Sequence, residues 1–257
     1  MNTLFFDLPA SMRGSYLRNV SDHFFPKANL LRLLRGYFVE KSEHEIQLAV
    51  HKTMDSKIIK EIITKQNAIN GVFSKWKLIC LSALVHLSKP KVVIETGVAH
   101  GSSSAVILEA LHENGLGKLY SIDLPVFASA NGDLKPWLEG YSFQKGDVST
   151  VQDLNQVGWL VPASLRERWG LILGDSLTEL PKLVQRVSNI DIFLHDSLHT
   201  YECMMQEFEI AWPYLKQNAF ILADDIFIKR HPAIRHFAEQ NKEHFKNYLQ
   251  LGMIRKT

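Results

Sequence analysis

Six acidic residues stand at or beside the ends of short apolar runs. They are Glu95 in KVVIE, Asp123 in KLYSID, Asp175 in WGLILGD, Asp196 in DIFLHD, and Asp224 with Asp225 in AFILADD. Runs that are apolar throughout, rather than alternating, predict strands covered on both faces. If these five strands lie parallel in one sheet, the carboxylates converge on the edge where open α/β sheets bind ligands. Gathered carboxylates repel one another, and each costs free energy to desolvate. The ligand is therefore expected to carry positive charge or to bring a metal ion. Asp196, Asp224 and Asp225 together form a set of hard oxygen donors suited to Mg²⁺.

The loop after the first run narrows the ligand class. It reads ETGVAHGSSS. Gly97 and Gly101 permit a tight turn and a close approach of ligand to backbone. Ser102, Ser103 and Ser104 open the next helix, whose first N–H groups are free to hold an anion. The loop lacks the G-x-G-x-x-G triplet that cradles a pyrophosphate, so a smaller anion such as an amino-acid carboxylate is expected. Asp123 is placed to accept from both hydroxyls of a ribose. Asp175 lies where it could reach a base or its exocyclic amine, although it reads equally well as a helix N-cap. Carboxylate, cation, ribose and purine occur together in S-adenosylmethionine.

These residues need a scaffold. From Lys91 onward the apolar runs alternate with helical stretches such as SSSAVILEALHE, SLTELPKLVQRV and YECMMQEFEIAWPYL, the signature of a mostly parallel sheet with helices on both faces. The tail FKNYLQLGMIRKT predicts one or two final strands, with Gly252 as a turn or bulge. Residues 124–168 are too long for a plain strand connection and read as an insertion near the site. Residues 1–75 form an N-terminal helical extension ahead of the 76–257 domain. Its stripes, Leu30, Leu31, Leu33, Leu34 and Phe38, then Ile46, Val50, Met54, Ile58 and Ile62, read as packing surfaces, with a lid or a homo-oligomer contact as the alternatives.

Composition excludes several classes. A net charge of +2 gives no electrostatic case for a nucleic-acid partner. No apolar run reaches the ~20 residues that span a bilayer, so no membrane role is expected. Cys80 and Cys203, at no metal-like spacing, suggest free thiols in a reducing compartment, hence a cytoplasmic protein.

ETGVAHGSSS resembles motif I of class I S-adenosylmethionine-dependent methyltransferases. GWLVPASLRERWGLILGDS, DIFLHDSLHTYE and LKQNAFILADD resemble the branch that holds macrocin-type sugar O-methyltransferases and cephalosporin-hydroxylase-like proteins. The resemblance covers about residues 75–230. It implies a Rossmann-like, seven-stranded, mostly parallel sheet with an antiparallel last pair. It also implies cofactor contacts from Glu95, Thr96, Gly97, His100, Gly101, Ser102, Ser103, Asp123, Asp175, Ser176 and Asp196, and Mg²⁺ on Asp196, Asp224 and Asp225. His199 matches the proposed general base of the sugar enzymes; a helix cap or a cofactor contact are its other readings. Where the family shows a Pro-Gly-Gly turn this chain has Gln217, Asn218 and Ala219, and Asn tolerates the left-handed conformation such a turn needs. The activity implied is methyl transfer to a hydroxyl of a small acceptor, a sugar or other polyhydroxylated natural product. A metal-dependent hydrolase, suggested by the His195–Asp196 pair, and a cofactor-binding regulator without transfer activity are the competing classes. His195 itself reads as structural.

Overall fold

The computed structural model describes residues 23–65, 72–128, 133–143, 149–226 and 233–257. Nine strands and eight α-helices are defined among them. The strands are β1 (Val92–Thr96), β2 (Lys118–Asp123), β3 (Val126–Ala128), β4 (Leu134–Pro136), β5 (Trp169–Leu173), β6 (Ile190–His195), β7 (Leu215–Ala223), β8 (Phe245–Tyr248) and β9 (Leu251–Arg255). The helices are α1 (Pro26–Tyr37), α2 (Glu43–Met54), α3 (Lys57–Lys65), α4 (Lys75–Ser88), α5 (Ser102–Glu113), α6 (Ser176–Val187), α7 (Tyr201–Ala211) and α8 (Ala233–Gln240).

Seven strands form one sheet in the order β5-β2-β1-β6-β7-β9-β8. The first five in that order are mutually parallel, and β9 runs antiparallel to both β7 and β8. The Rossmann-like sheet and its antiparallel last pair are thus as expected. The final turn is made by Leu249 and Gln250, both at positive φ. Gly252 is not the turn: it lies inside β9 opposite Ala223, where a Cβ would meet Ile234 and Ile226 methyl carbons at 2.9 and 3.0 Å. Asn218 does adopt the left-handed conformation, with φ +68°.

After β1 the chain steps outward through β2 to β5, then returns to lay β6 on the other side of β1. That reversal creates a crevice at the carboxyl ends of β1 and β6. Register makes the strand ends level. Thr96 pairs with Ile122 and with His195, and His195 pairs with Ala223. Gly97, Asp123, Asp196 and Asp224 therefore emerge side by side, tied by Gly97 N–H to Ile122 O (2.8 Å), Asp196 N–H to Thr96 O (2.8 Å) and Asp224 N–H to His195 O (3.0 Å).

One face of the sheet is covered by α6, α7 and α8 through Leu180, Phe208 and Phe237. The other is covered by α4 and α5 together with α1, α2 and α3, in a core that joins Leu34, Val50 and Ile62 to Phe220, Leu222 and Met253. The apolar stripes of the N-terminal helices thus face the sheet. Tyr37 donates to Met253 O (3.1 Å), Tyr248 donates to Pro26 O (3.0 Å), and the Tyr37 ring meets Phe220 edge-on at 5.3 Å. In the 124–168 insertion, β3 and β4 form a small antiparallel pair. Pro162 enters a 3₁₀ turn at Ala163–Arg168. No helix among the described residues is long and apolar enough to cross a membrane.

Candidate active site

The carboxyl ends of β1, β2, β5, β6 and β7 open into one cavity of about 970 Å³. Its floor is Gly97, Val98 and Ala99 on the loop after β1, with Asp123 and Asp175 to one side and Asp196, His199, Asp224 and Asp225 to the other. The insertion supplies another wall, including Val126, Leu134, Tyr141, Phe143 and Val151. Tyr141 and Phe143 stack with centroids 6.5 Å apart.

The loop after β1 is shaped for close approach. Gly97 has φ +84°, and a Cβ there would fall 2.0 Å from the Asp196 carbonyl oxygen. Asp123 accepts from Val98 N–H (2.7 Å) and Ala99 N–H (3.2 Å) through Oδ1, which locks the loop to the end of β2. Burial drives its carboxyl above the usual range, against the pull of those two N–H donors. Asp175 caps α6, accepting from Thr178 N–H at 3.0 Å, and still lines the cavity. The two readings of Asp175 are therefore compatible.

Part of the expected contact set stands behind the cavity wall. Glu95 is not the last residue of β1; the strand runs one residue further, to Thr96. Side chains alternate across a strand, so Glu95 leaves the sheet toward α5. There it is fully buried and accepts from Ser103 (2.5 Å), Ser104 (2.5 Å) and Ser121 (2.7 Å). Thr96 donates to Glu207 (2.6 Å), Ser102 accepts from Phe73 N–H (3.4 Å), and His100 accepts from Trp159 Nε1–H (2.9 Å). Gly101 is the residue before α5, at φ +84° with Gly158 Cα 2.7 Å from its notional Cβ. None of Glu95, Thr96, His100, Gly101, Ser102 and Ser103 lines the cavity. Ser176 does line it.

On the other side, His199 Nε2 lies 3.5 Å from Asp196 Oδ1 and has no hydrogen-bond partner among the described residues. Burial alone would lower the His199 pKa. The carboxylates of Asp196, Asp224 and Asp225 outweigh it and hold the imidazole above its ordinary value. Asp196 is raised to about 8, first by burial and then by the like charges of Asp224 and Asp225, against the stabilising contact with His199. His195 takes no part in the cavity. It is fully buried, with Nδ1 2.7 Å from Glu207 Oε2, and that removes the His–Asp pair on which a hydrolase would rest.

Sequence reasoning missed one residue. Lys77, on α4, sends its ammonium between the adjacent carboxylates, 2.6 Å from Asp224 Oδ1 and 2.9 Å from Asp225 Oδ1. Its signal in the sequence was a single lysine inside WKLICLSALVHL, a helix whose following residues Leu78, Ile79, Cys80 and Leu81 are all fully buried. The set expected to bind Mg²⁺ therefore does not fit a resident divalent ion as it stands. Mg²⁺ demands oxygens at ~2.0–2.1 Å, and the ammonium occupies the space those two carboxylates share. Among the described residues no group of three His, Cys, Asp or Glu side chains is arranged to hold a metal.

Comparison with known proteins agrees with this geometry. Residues 94–226, just over half of the chain, match the family described as "Methyltransferase domain". Among curated proteins none matches in sequence. Solved structures share the fold at low identity. A candidate caffeoyl-CoA O-methyltransferase from Staphylococcus aureus is 14% identical over 82% of this chain and 97% of its own, with a TM-score of 0.56. An S-adenosylhomocysteine-bound methyltransferase of Podospora anserina is 13% identical over 79% and 88%, TM-score 0.54. The O-methyltransferase of Streptomyces achromogenes involved in tomaymycin synthesis, solved with S-adenosylmethionine, is 14% identical over 79% and 91%, TM-score 0.54. The chain belongs to the methyltransferase-domain family and carries the class I fold of S-adenosylmethionine-dependent methyltransferases.

Proposed function

We propose that this protein methylates a hydroxyl of a small, polyhydroxylated acceptor, with S-adenosylmethionine as donor and His199 as general base. One observation carries the reading: a carboxylate suited to a ribose, Asp123, and an imidazole held 3.5 Å from a carboxylate, His199 beside Asp196, line the same cavity across the Gly97 turn. The cavity fits the donor. Its volume of about 970 Å³ lies in the ~300–1,000 Å³ range of small-molecule sites, and the Gly97 turn lines it. Asp123 would take the ribose hydroxyls, Asp175 and Ser176 the base, and Asp196 the ammonium. When bound, the donor supplies an electrophilic methyl whose C–S electron pair stays on sulfur as the thioether forms.

The chain's own residues do the rest. His199 takes the hydroxyl proton as the acceptor oxygen bonds to carbon, so the imidazole must be neutral beforehand. Asp196, 3.5 Å away, stabilises the imidazolium that forms. The insertion wall of Val126, Leu134, Tyr141 and Phe143 excludes water and faces the acceptor. The buried free thiols Cys80 and Cys203 suit a cytoplasmic setting.

Calorimetric titration with S-adenosylhomocysteine tests the foundation. One site per chain with Kd on the order of micromolar is expected. Absence of binding would remove the donor and the reading with it. Label transfer from methyl-labelled S-adenosylmethionine to a panel of sugars and phenols then identifies the acceptor class.

A further inference from the structure

Adjacent carboxylates at a parallel-sheet edge need a cation. Asp224 is buried and Asp225 partly so. The backbone is bent to bring them together: Asp225 sits at φ +50°, a conformation that costs free energy in a non-glycine residue and persists where the surroundings hold it. The cation they meet belongs to the chain. Lys77 is one-tenth exposed, contacts both carboxylates within 2.9 Å, and lies 5.5 Å from the Phe73 ring. It is not a surface arm free to swing aside. It leaves α4 one residue before a run of fully buried side chains, and α4 packs against α1, α2, α3 and α5.

We propose that Lys77 is a built-in replacement for a divalent cation: its ammonium fills the cation position at Asp224 and Asp225, and the site works without metal. This rests on the methyl-transfer reading above. Lysine suits the part, since an ammonium is a compact, strongly hydrated point charge with three donors. Two N–H donors go to the carboxylates, and Lys77 also lines the cavity. The third can meet the acceptor oxygen as its proton leaves for His199, supplying the positive charge that a metal would bring to the developing alkoxide. No electron or proton beyond those of the transfer itself is involved. Lys77 keeps all its protons, and the two carboxylates raise its affinity for them despite burial.

Mn²⁺ binding followed by electron paramagnetic resonance, with S-adenosylhomocysteine present, tests this without an acceptor. The wild-type protein is expected to leave the free Mn²⁺ signal unchanged. Lys77→Ala, and Lys77→Met as the variant that keeps the stem packed, are expected to bind one Mn²⁺ per chain, at least ~tenfold more tightly than wild type, because the competing charge is gone. Mn²⁺ is likewise expected to raise the Tm of these variants and not that of the wild type. One Mn²⁺ per chain in the wild type would overturn the proposal, as would folded Lys77 variants that still ignore the ion. A failure of S-adenosylhomocysteine to bind would count against the methyltransferase reading instead, so the two can be told apart. Once an acceptor is known, EDTA is expected to leave wild-type turnover intact; loss of turnover in EDTA would contradict the inference.

Discussion

At the scale of single residues, the site depends on one imidazole whose surroundings oppose one another. Burial favours neutral His199, while Asp196, Asp224 and Asp225 favour the cation and prevail. The buried His195 ring stands 5.5 Å from the His199 ring, and the Lys77 ammonium is paired with Asp224 and Asp225. A base must be neutral to accept a proton, so activity is expected to fall as pH drops through the raised His199 pKa. The ascending limb of kcat should then lie above the ordinary imidazole value of ~6.5. Asp196→Asn removes the nearest negative charge and should move that limb to lower pH; a limb that stays put would remove Asp196 from its role. His199→Gln should cut kcat by about 10²-fold or more while S-adenosylhomocysteine affinity holds. Undiminished turnover in that variant would assign the proton to another group.

At the scale of elements, the turn between β1 and α5 connects the sheet to the cavity. It was legible because ETGVAHGSSS places glycines where a turn must bend and serines where a helix must start. What the pattern concealed was parity. The run KVVIE ends on Glu95, but β1 ends on Thr96, and a one-residue offset sends a side chain to the opposite face. Glu95 consequently pins α5 and β2 to β1 through three serine hydroxyls, outside the cavity lining. Lys77 was hidden for a related reason: a helix that is apolar nearly all round has no periodicity to say which way Lys77 faces. At Gly97 the close neighbour is the Asp196 backbone, and the cost of a side chain there can be measured. Gly97→Ala demands φ +84° of a residue with a Cβ and drives that carbon into the Asp196 carbonyl at 2.0 Å. The loop must then shift away from β6, and S-adenosylhomocysteine affinity should drop by at least ~tenfold, the scale of one displaced backbone contact of about 1.4 kcal/mol. Wild-type affinity in a folded Gly97→Ala protein would show that the turn does not touch the cofactor.

At the scale of the whole molecule, the N-terminal helices belong to the sheet's own core. Their stripes were visible as amphipathic periodicity, but periodicity cannot name the surface a stripe will cover, and lid, oligomer contact and internal packing look alike in sequence. The structure brings Leu34, fully buried on α1, into one core with Phe220 and Leu222 of β7, while α1–α3 contribute no residue to the cavity. Arg255 on β9 also donates to the Tyr37 carbonyl, tying the end of α1 to the far side of the chain. Such sharing couples the stability of the extension to that of the catalytic sheet. Leu34→Ala is therefore expected to cost ~2–5 kcal/mol, and to lower the midpoint of thermal unfolding at about 2–4 °C per kcal/mol for a chain of this size. That loss should appear in a single cooperative transition, followed alike by calorimetry, by far-ultraviolet circular dichroism of the whole chain and by the fluorescence of Trp169 on β5. Two resolved transitions, with Leu34→Ala moving only the lower one, would make the helices a separate unit and return the lid to consideration.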